Sequence, residues 1–265
     1  MLGKSSSLLK LLVLMLLVLP VVVTGQEKEN NGYTLNVLCY NLRFGELASL
    51  EQLAEYILSE NPDVVALQEV DVRTNRSMAP HQNGKDFITE LGFRTGMLTA
   101  YARTIDFSGG YYGIGILSKY PFEQTRKVML PIPEGSNEQR AVLLADVELP
   151  GGRAFTFACT HLDHSTSAVR IIQVQALDEV LKSNRLPLII AGDFNARPDS
   201  PEIKNGMKDY LQACSDDFTS PSHDPRSKID YIFCYPAAAW KIMEAATPRQ
   251  NLSDHLPVTV VVQLN

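Results

Sequence analysis

The chain has 265 residues, of which 45% are hydrophobic and 20% charged, and its formal net charge is −6. Those proportions belong to a globular protein and exclude a disordered chain. The acidic balance, with no Lys/Arg-rich stripe, gives little of the basic footprint that nucleic-acid binding calls for.

Lys4 and Lys10 flank a Ser-rich start, and residues 11–23 are apolar apart from Pro20. A signal-peptide core has about 7–15 apolar residues, whereas a membrane span needs about 20. Val23-Thr24-Gly25 offers a small-residue cleavage site before Gln26. The expected organisation is a signal peptide over 1–25, a polar linker over 26–32 and one domain over 33–265. Export to the periplasm, the cell surface or beyond follows, with an uncleaved anchor as the alternative. Cleavage removes two lysines from the formal charge of −6 and leaves about −8. No transmembrane segment is expected after signal removal, and a monomer is expected.

Residues 34–42 (TLNVLCYNL) read as a buried strand. Leu47, Leu50, Leu53, Ala54, Ile57 and Leu58 recur at helical spacing, and Asn61-Pro62 stops that helix. Residues 63–67 (DVVAL) form a short buried strand ending at Gln68-Glu69. Further strands are expected over 93–100, 113–117, 140–149 and 153–160, with Pro150-Gly151-Gly152 as a hairpin turn between the last two. A strand–helix–strand unit then recurs: AFTFACT leads to His161, an apolar helical face runs from Val169 to Leu181, and 188–191 ends at Asp193. Strands over 229–234 and 257–264 close the chain. Cys39, Cys159 and Cys234 sit in apolar runs and, with Cys214, match no zinc spacing, so all four read as core thiols. A disulfide among them stays open.

The chemistry lies in the polar residues that end these apolar runs: Asn41, Glu69, His161, Asp193, Asn195, Asp230, Asp254 and His255. An ionised carboxylate beside a core is costly unless paired or bound to metal. Asp, Glu and Asn oxygens suit a hard cation, Mg²⁺ or Mn²⁺, with Ca²⁺ as a further choice. Glu69 and Asp254 suit such an ion, and an Asp–His pair such as Asp230–His255 fixes an imidazole tautomer.

YNLRF, LQE, GDFNARPDS and SDHLPV, in this chain order and spanning Asn41 to His255, resemble the motif series of the endonuclease/exonuclease/phosphatase superfamily, in the order of its motifs. The resemblance implies an α/β four-layer sandwich, two mixed β-sheets packed face to face with helices outside, as in DNase I-like proteins. It implies that Glu69, aided by Asn41 and Asp254, holds the metal, and that Asp193 orients or deprotonates the attacking water. Asn195 and His161 would hold the phosphate. His255, oriented by Asp230, would stabilise the transition state or protonate the leaving group. Arg73 and Arg76 in DVRTNRS, Tyr112 beside Gly113, and Arg140 at a strand start are candidate substrate contacts. His81, His164 and His223 lie in polar stretches and read as surface residues.

The expected activity is that of an exported, metal-dependent phosphodiesterase or phosphatase acting on a small or lipid-linked phosphate. A secreted nuclease, with nucleic acid as partner, is the first alternative. A non-catalytic binding protein on the same fold is the second.

Overall fold

The computed structural model describes residues 32–136 and 138–265. The expected signal peptide and most of the linker lie outside the described residues. The first half runs β1 (Tyr33–Asn41), α1 (Leu50–Glu60), β2 (Val64–Val72), α2 (Phe87–Thr95), β3 (Leu98–Phe107) and β4 (Gly110–Ser118). The middle adds β5 (Phe122–Met129), β6 (Ala141–Leu149), β7 (Arg153–His161), α3 (Ser167–Lys182) and β8 (Leu188–Asp193). The end contains α4 (Pro201–Lys204), β9 (Leu211–Gln212), β10 (Asp230–Tyr235), β11 (Trp240–Ala246) and β12 (Val258–Leu264).

These strands form two six-stranded mixed sheets, ordered β11-β12-β1-β2-β4-β3 and β5-β6-β7-β8-β10-β9. The parallel pairs are β1–β2 and β7–β8, each the product of a strand–helix–strand unit. The repeated outline read in the sequence is therefore a repeated piece of architecture. Strand periodicity builds the layers. In β1, Val37 and Cys39 enter the core between the sheets, while Leu38 and Tyr40 enter the core under α1 and α2. In β2, Val64 and Ala66 face inward, and Val65 and Leu67 face the helices. On the other sheet, Val174, Leu177 and Leu181 of α3 close the outer face.

Local chemistry sets the helix ends. Ser49 and Gln52 form a reciprocal capping box at the start of α1, and Asn61 ends that helix with φ of 49°. All four cysteines are buried and free, as core thiols should be. Among the described residues, no helix is long and apolar enough to cross a membrane.

Two local expectations need correction, and two strands carry no clear signal in the sequence. The strand expected over 93–100 is two elements: Phe93 lies in α2, and β3 begins only at Leu98. Asp86 caps α2, accepting from the Thr89 backbone N–H, and Gly96 terminates it, so the Phe and Thr residues there are held helical by the ends. The strand expected to end at Gln68-Glu69 continues to Val72 through a bulge. β5 and β11, both edge strands with mostly solvated faces, lack the apolar run that marks a buried strand.

Candidate active site

The two parallel strand pairs end side by side, and their C-terminal ends carry the polar residues. Asn41 is the last residue of β1, fully buried. Glu69 stands in the β2 bulge between Leu67 and Val70, with φ of 56°. A non-glycine residue in that region costs about 1–3 kcal/mol, and such strain gathers where a side chain must be aimed. In the second sheet the ladder itself aligns three site residues. His161 is opposite Asp193 in the β7–β8 register, and Asp193 is opposite Asp230 in the β8–β10 register.

Side chains join the two sheets. The Asn41 amide Nδ2 donates to Glu69 Oε1 at 3.2 Å and to Asp193 Oδ2 at 3.1 Å. Its Oδ1 accepts from the Arg43 backbone N–H at 2.9 Å. Asp193 Oδ1 accepts from the Asn195 backbone N–H at 2.8 Å, and the Asn195 amide donates to the Leu162 carbonyl at 3.0 Å. Between them Phe194 is fully buried against Tyr231 and Phe233, so the GDFN turn is pinned by its aromatic residue. His255 Nδ1 meets Asp230 Oδ2 at 2.9 Å, and its Nε2 lies 3.8 Å from Asp193 Oδ2. His161 Nε2 lies 3.5 Å from the same Asp193 oxygen.

Electrostatics divide the labour. Burial, then Asp230, push the Asp193 carboxyl up, against the pull of His255 and the Asn195 and Asn41 donors. Burial works against a charged His255, but Asp230 and Asp193 outweigh it and raise the imidazole to about 10. Burial, then Arg140, hold His161 well below the usual histidine range. The site thus pairs a neutral imidazole, His161, with an imidazolium, His255. Burial and, less strongly, Asp254 push Glu69 up, opposed by His255 and Asn41.

The sign of the His255 shift gives a stability prediction. Its pKa is raised in the folded state, so its contribution is complete below the ordinary value near 6.5 and is lost as pH rises through about 10. In chelator, His255→Gln is expected to be less stable than the wild type by roughly 2–4 kcal/mol at pH 6. Urea melts at pH 6, 8 and 10 should show that gap closing with pH. A gap that widens instead would mean that His255 is neutral in the fold.

The donors fit a divalent cation. Asp193, Asp230 and His255 present ligand atoms within 4.8 Å of one another. Asp230 is already engaged by His255, however, whereas the half-buried Glu69 has one hydrogen bond, from Asn41, and a destabilised negative charge that a cation would relieve. Asp254, half-buried, paired with Arg43 and close enough to act on Glu69, would complete that second donor set.

The remaining candidates fall differently. Tyr112 and Arg140 are buried and act on Glu69 or are acted on by it, so both border the site. Arg76 is clamped: Nη2 donates to Asp71 Oδ1 at 2.9 Å, Nε donates to Asp71 Oδ2, and the guanidinium lies 4.1 Å and 4.2 Å from the Phe44 and Phe107 ring centres. Thr74 also donates to Asp71, so the DVRTNRS cluster is turned toward one buried carboxylate. Arg73 is exposed, and its backbone N–H is tied to Lys85. Two residues that the sequence did not mark as site candidates also border the site. Arg43, within the YNLRF motif, pairs with Asp254 and Glu46, and the exposed His164 approaches Arg140 at 3.5 Å.

The profile of the Endonuclease/Exonuclease/phosphatase family matches residues 34–255, and the chain belongs to that family. Its members hydrolyse phosphate esters with divalent metals, and the chain is an enzyme of this kind. A UPF0294 protein of Vibrio campbellii is 24% identical over 243 residues, covering 87% of this chain and 78% of the relative. Among solved structures, an endonuclease/exonuclease/phosphatase from Bacteroides vulgatus superposes with a TM-score of 0.73 at 17% identity, covering 88% of this chain and all of the other. A mannosyl-6-phosphatase from Bacteroides thetaiotaomicron gives a TM-score of 0.69 at 16% identity, covering 86% of this chain and 99% of that one. These likenesses establish the two-sheet DNase I-like fold.

Proposed function

We propose that the chain is an exported Mg²⁺- or Mn²⁺-dependent phosphodiesterase or phosphatase acting on a small or lipid-linked phosphate. The observation that carries this reading is the continuous chain Glu69–Asn41–Asp193, with Asp193 flanked by His161 and by the His255–Asp230 pair. It brings the Glu69 and Asp193 carboxylates and the His255 imidazole together, groups suited to hold a metal, orient a water and give a proton. The apolar core of residues 11–23 supports export.

Glu69 and Asp254, with Asn41 beside them, would hold the cation, which would supply charge neutralisation at a phosphoryl oxygen. Asp193 orients the attacking water and accepts its proton. Asn195 and neutral His161 position the phosphate. His255, held in one tautomer by Asp230, stabilises the developing negative charge and gives a proton to the leaving oxygen. The formal charge of −6 weighs against a long polyanion as substrate.

The test is a panel of esters in Mg²⁺ or Mn²⁺: a p-nitrophenyl monoester and diester, inositol and choline phospholipids, and plasmid DNA. Cleavage of a small or lipid ester but not DNA is the expected result, and chelation should abolish it without unfolding the chain. Cleavage of DNA alone would replace this reading with that of a secreted nuclease.

A further inference from the structure

Two buried nitrogens at one wall of the site lack partners among the described residues: Arg140 Nε and His161 Nδ1. Arg140 is 3% exposed and His161 is 5% exposed, so solvent does not satisfy either. Leaving a buried polar group unpaired costs about 1–3 kcal/mol, and beside an active site a bound ligand is a ready partner for it.

The fold brings the two together. Arg140 immediately precedes β6, whose residue Val142 is opposite Thr160 of β7, so Arg140 and His161 emerge at the same sheet end. After burial, Arg140 is the largest influence holding His161 neutral, and its charge also reaches Glu69 and Tyr112. The guanidinium is otherwise thinly held. Nη1 lies 3.2 Å from Glu138 Oε1, yet that oxygen accepts no aligned hydrogen bond, and Nη2 reaches His164 Nδ1 only at 3.5 Å. Arg76 is the contrast, with two N–H groups on Asp71 and its faces covered by Phe rings. Of these two arginines, Arg140 is the one with donors to spare beside the site.

We propose that Arg140, with His164 at its outer edge, forms a subsite for a third non-bridging phosphate oxygen, which selects terminal phosphate monoesters over diesters. This rests on the phosphate-ester reading above. A diester has two non-bridging oxygens, which on that reading the Glu69 side and the His161–Asn195 side of the site would take up. A monoester has a third, carrying the extra negative charge, and the unspent guanidinium N–H groups match it. The same reading explains why Arg140 tolerates a single, poorly aligned carboxylate partner: full pairing with protein would leave nothing for substrate.

The full chain with Mn²⁺ is assayed on p-nitrophenyl phosphate and bis-p-nitrophenyl phosphate as wild type, Arg140→Gln and His164→Gln. In parallel, inorganic phosphate binding is measured by calorimetry. Arg140→Gln is expected to lower kcat/KM for the monoester at least ~10-fold more than for the diester, and to weaken phosphate binding by ~10-fold or more. His164→Gln, an exposed change that spares the fold, is expected to raise KM for the monoester about 3–10-fold. Equal losses on both esters, or an unchanged monoester KM in His164→Gln, overturn the subsite. Should the wild type cleave neither ester, the function proposed above fails on its own, and phosphate binding then decides: weaker binding by Arg140→Gln supports the subsite, and equal binding overturns it.

Discussion

Replacing Asp193 or His255 by Ala is expected to lower phosphate-ester turnover at least ~10²-fold while the chain stays folded. Asp193 is the hub of the site: Asn41 and the Asn195 N–H hold its oxygens, and both histidines face one of them. On the proposed mechanism, the attacking water would lose its acceptor when the carboxylate goes. Folding should survive, because burial and Asp230 already disfavour the Asp193 charge, and its removal relieves that repulsion. His255→Ala acts on the other side of the reaction, taking away the imidazolium and leaving Asp230 without the ring it orients. The check is kcat alongside a thermal melt. Near-normal turnover in both variants, with metal present, would mean that the reaction happens elsewhere.

Glu69→Gln is expected to lower turnover by ~10²-fold or more and to weaken Mn²⁺ binding by a similar factor, because the carboxylate supplies charge that an amide does not. The variant is nearly isosteric. Its Oε1 can still accept the Asn41 hydrogen bond, and Gln meets the same backbone cost as Glu at φ of 56°. The melting temperature in chelator should therefore hold or rise, since burial and Asp254 make the Glu69 charge unfavourable without a cation. A variant that binds Mn²⁺ as tightly as the wild type would move the ion to the Asp193–Asp230–His255 cluster.

Much of the site was legible in the sequence because its residues interrupt or end runs that must be buried. Asn41, His161 and Asp193 stand at strand ends, and Asp230 opens the strand that pairs with β8. The relations between them were less legible. That Asn41 ties Glu69 to Asp193 depends on two sheets meeting across 152 residues of sequence, and no local pattern encodes it. The bulge at Glu69 was also hidden, since the strand continues in apolar residues on both sides. Arg76 reads as a candidate substrate contact because nothing local shows that Asp71, five residues before it, turns back onto it or that Phe44 and Phe107, from distant segments, cover its faces. His164 looked like a surface residue and is one, but its ring nitrogen turns toward a buried arginine. Among the elements, the edge strand β5 escaped notice because its FEQTRKVM face is mostly solvated, and α2 because its FITELGFRT run has weak helical signals until its caps are seen.

The most direct test of the central claim is a Mn²⁺ titration of the chelated protein, following metal binding and p-nitrophenyl ester hydrolysis in the same samples, for the wild type and Glu69→Gln. A metal-activated site at the strand ends predicts no turnover in chelator, turnover that rises with bound Mn²⁺ at the same midpoint, and weakening of both in the variant. Turnover that persists in chelator, or that follows Mn²⁺ equally in both proteins, would contradict it.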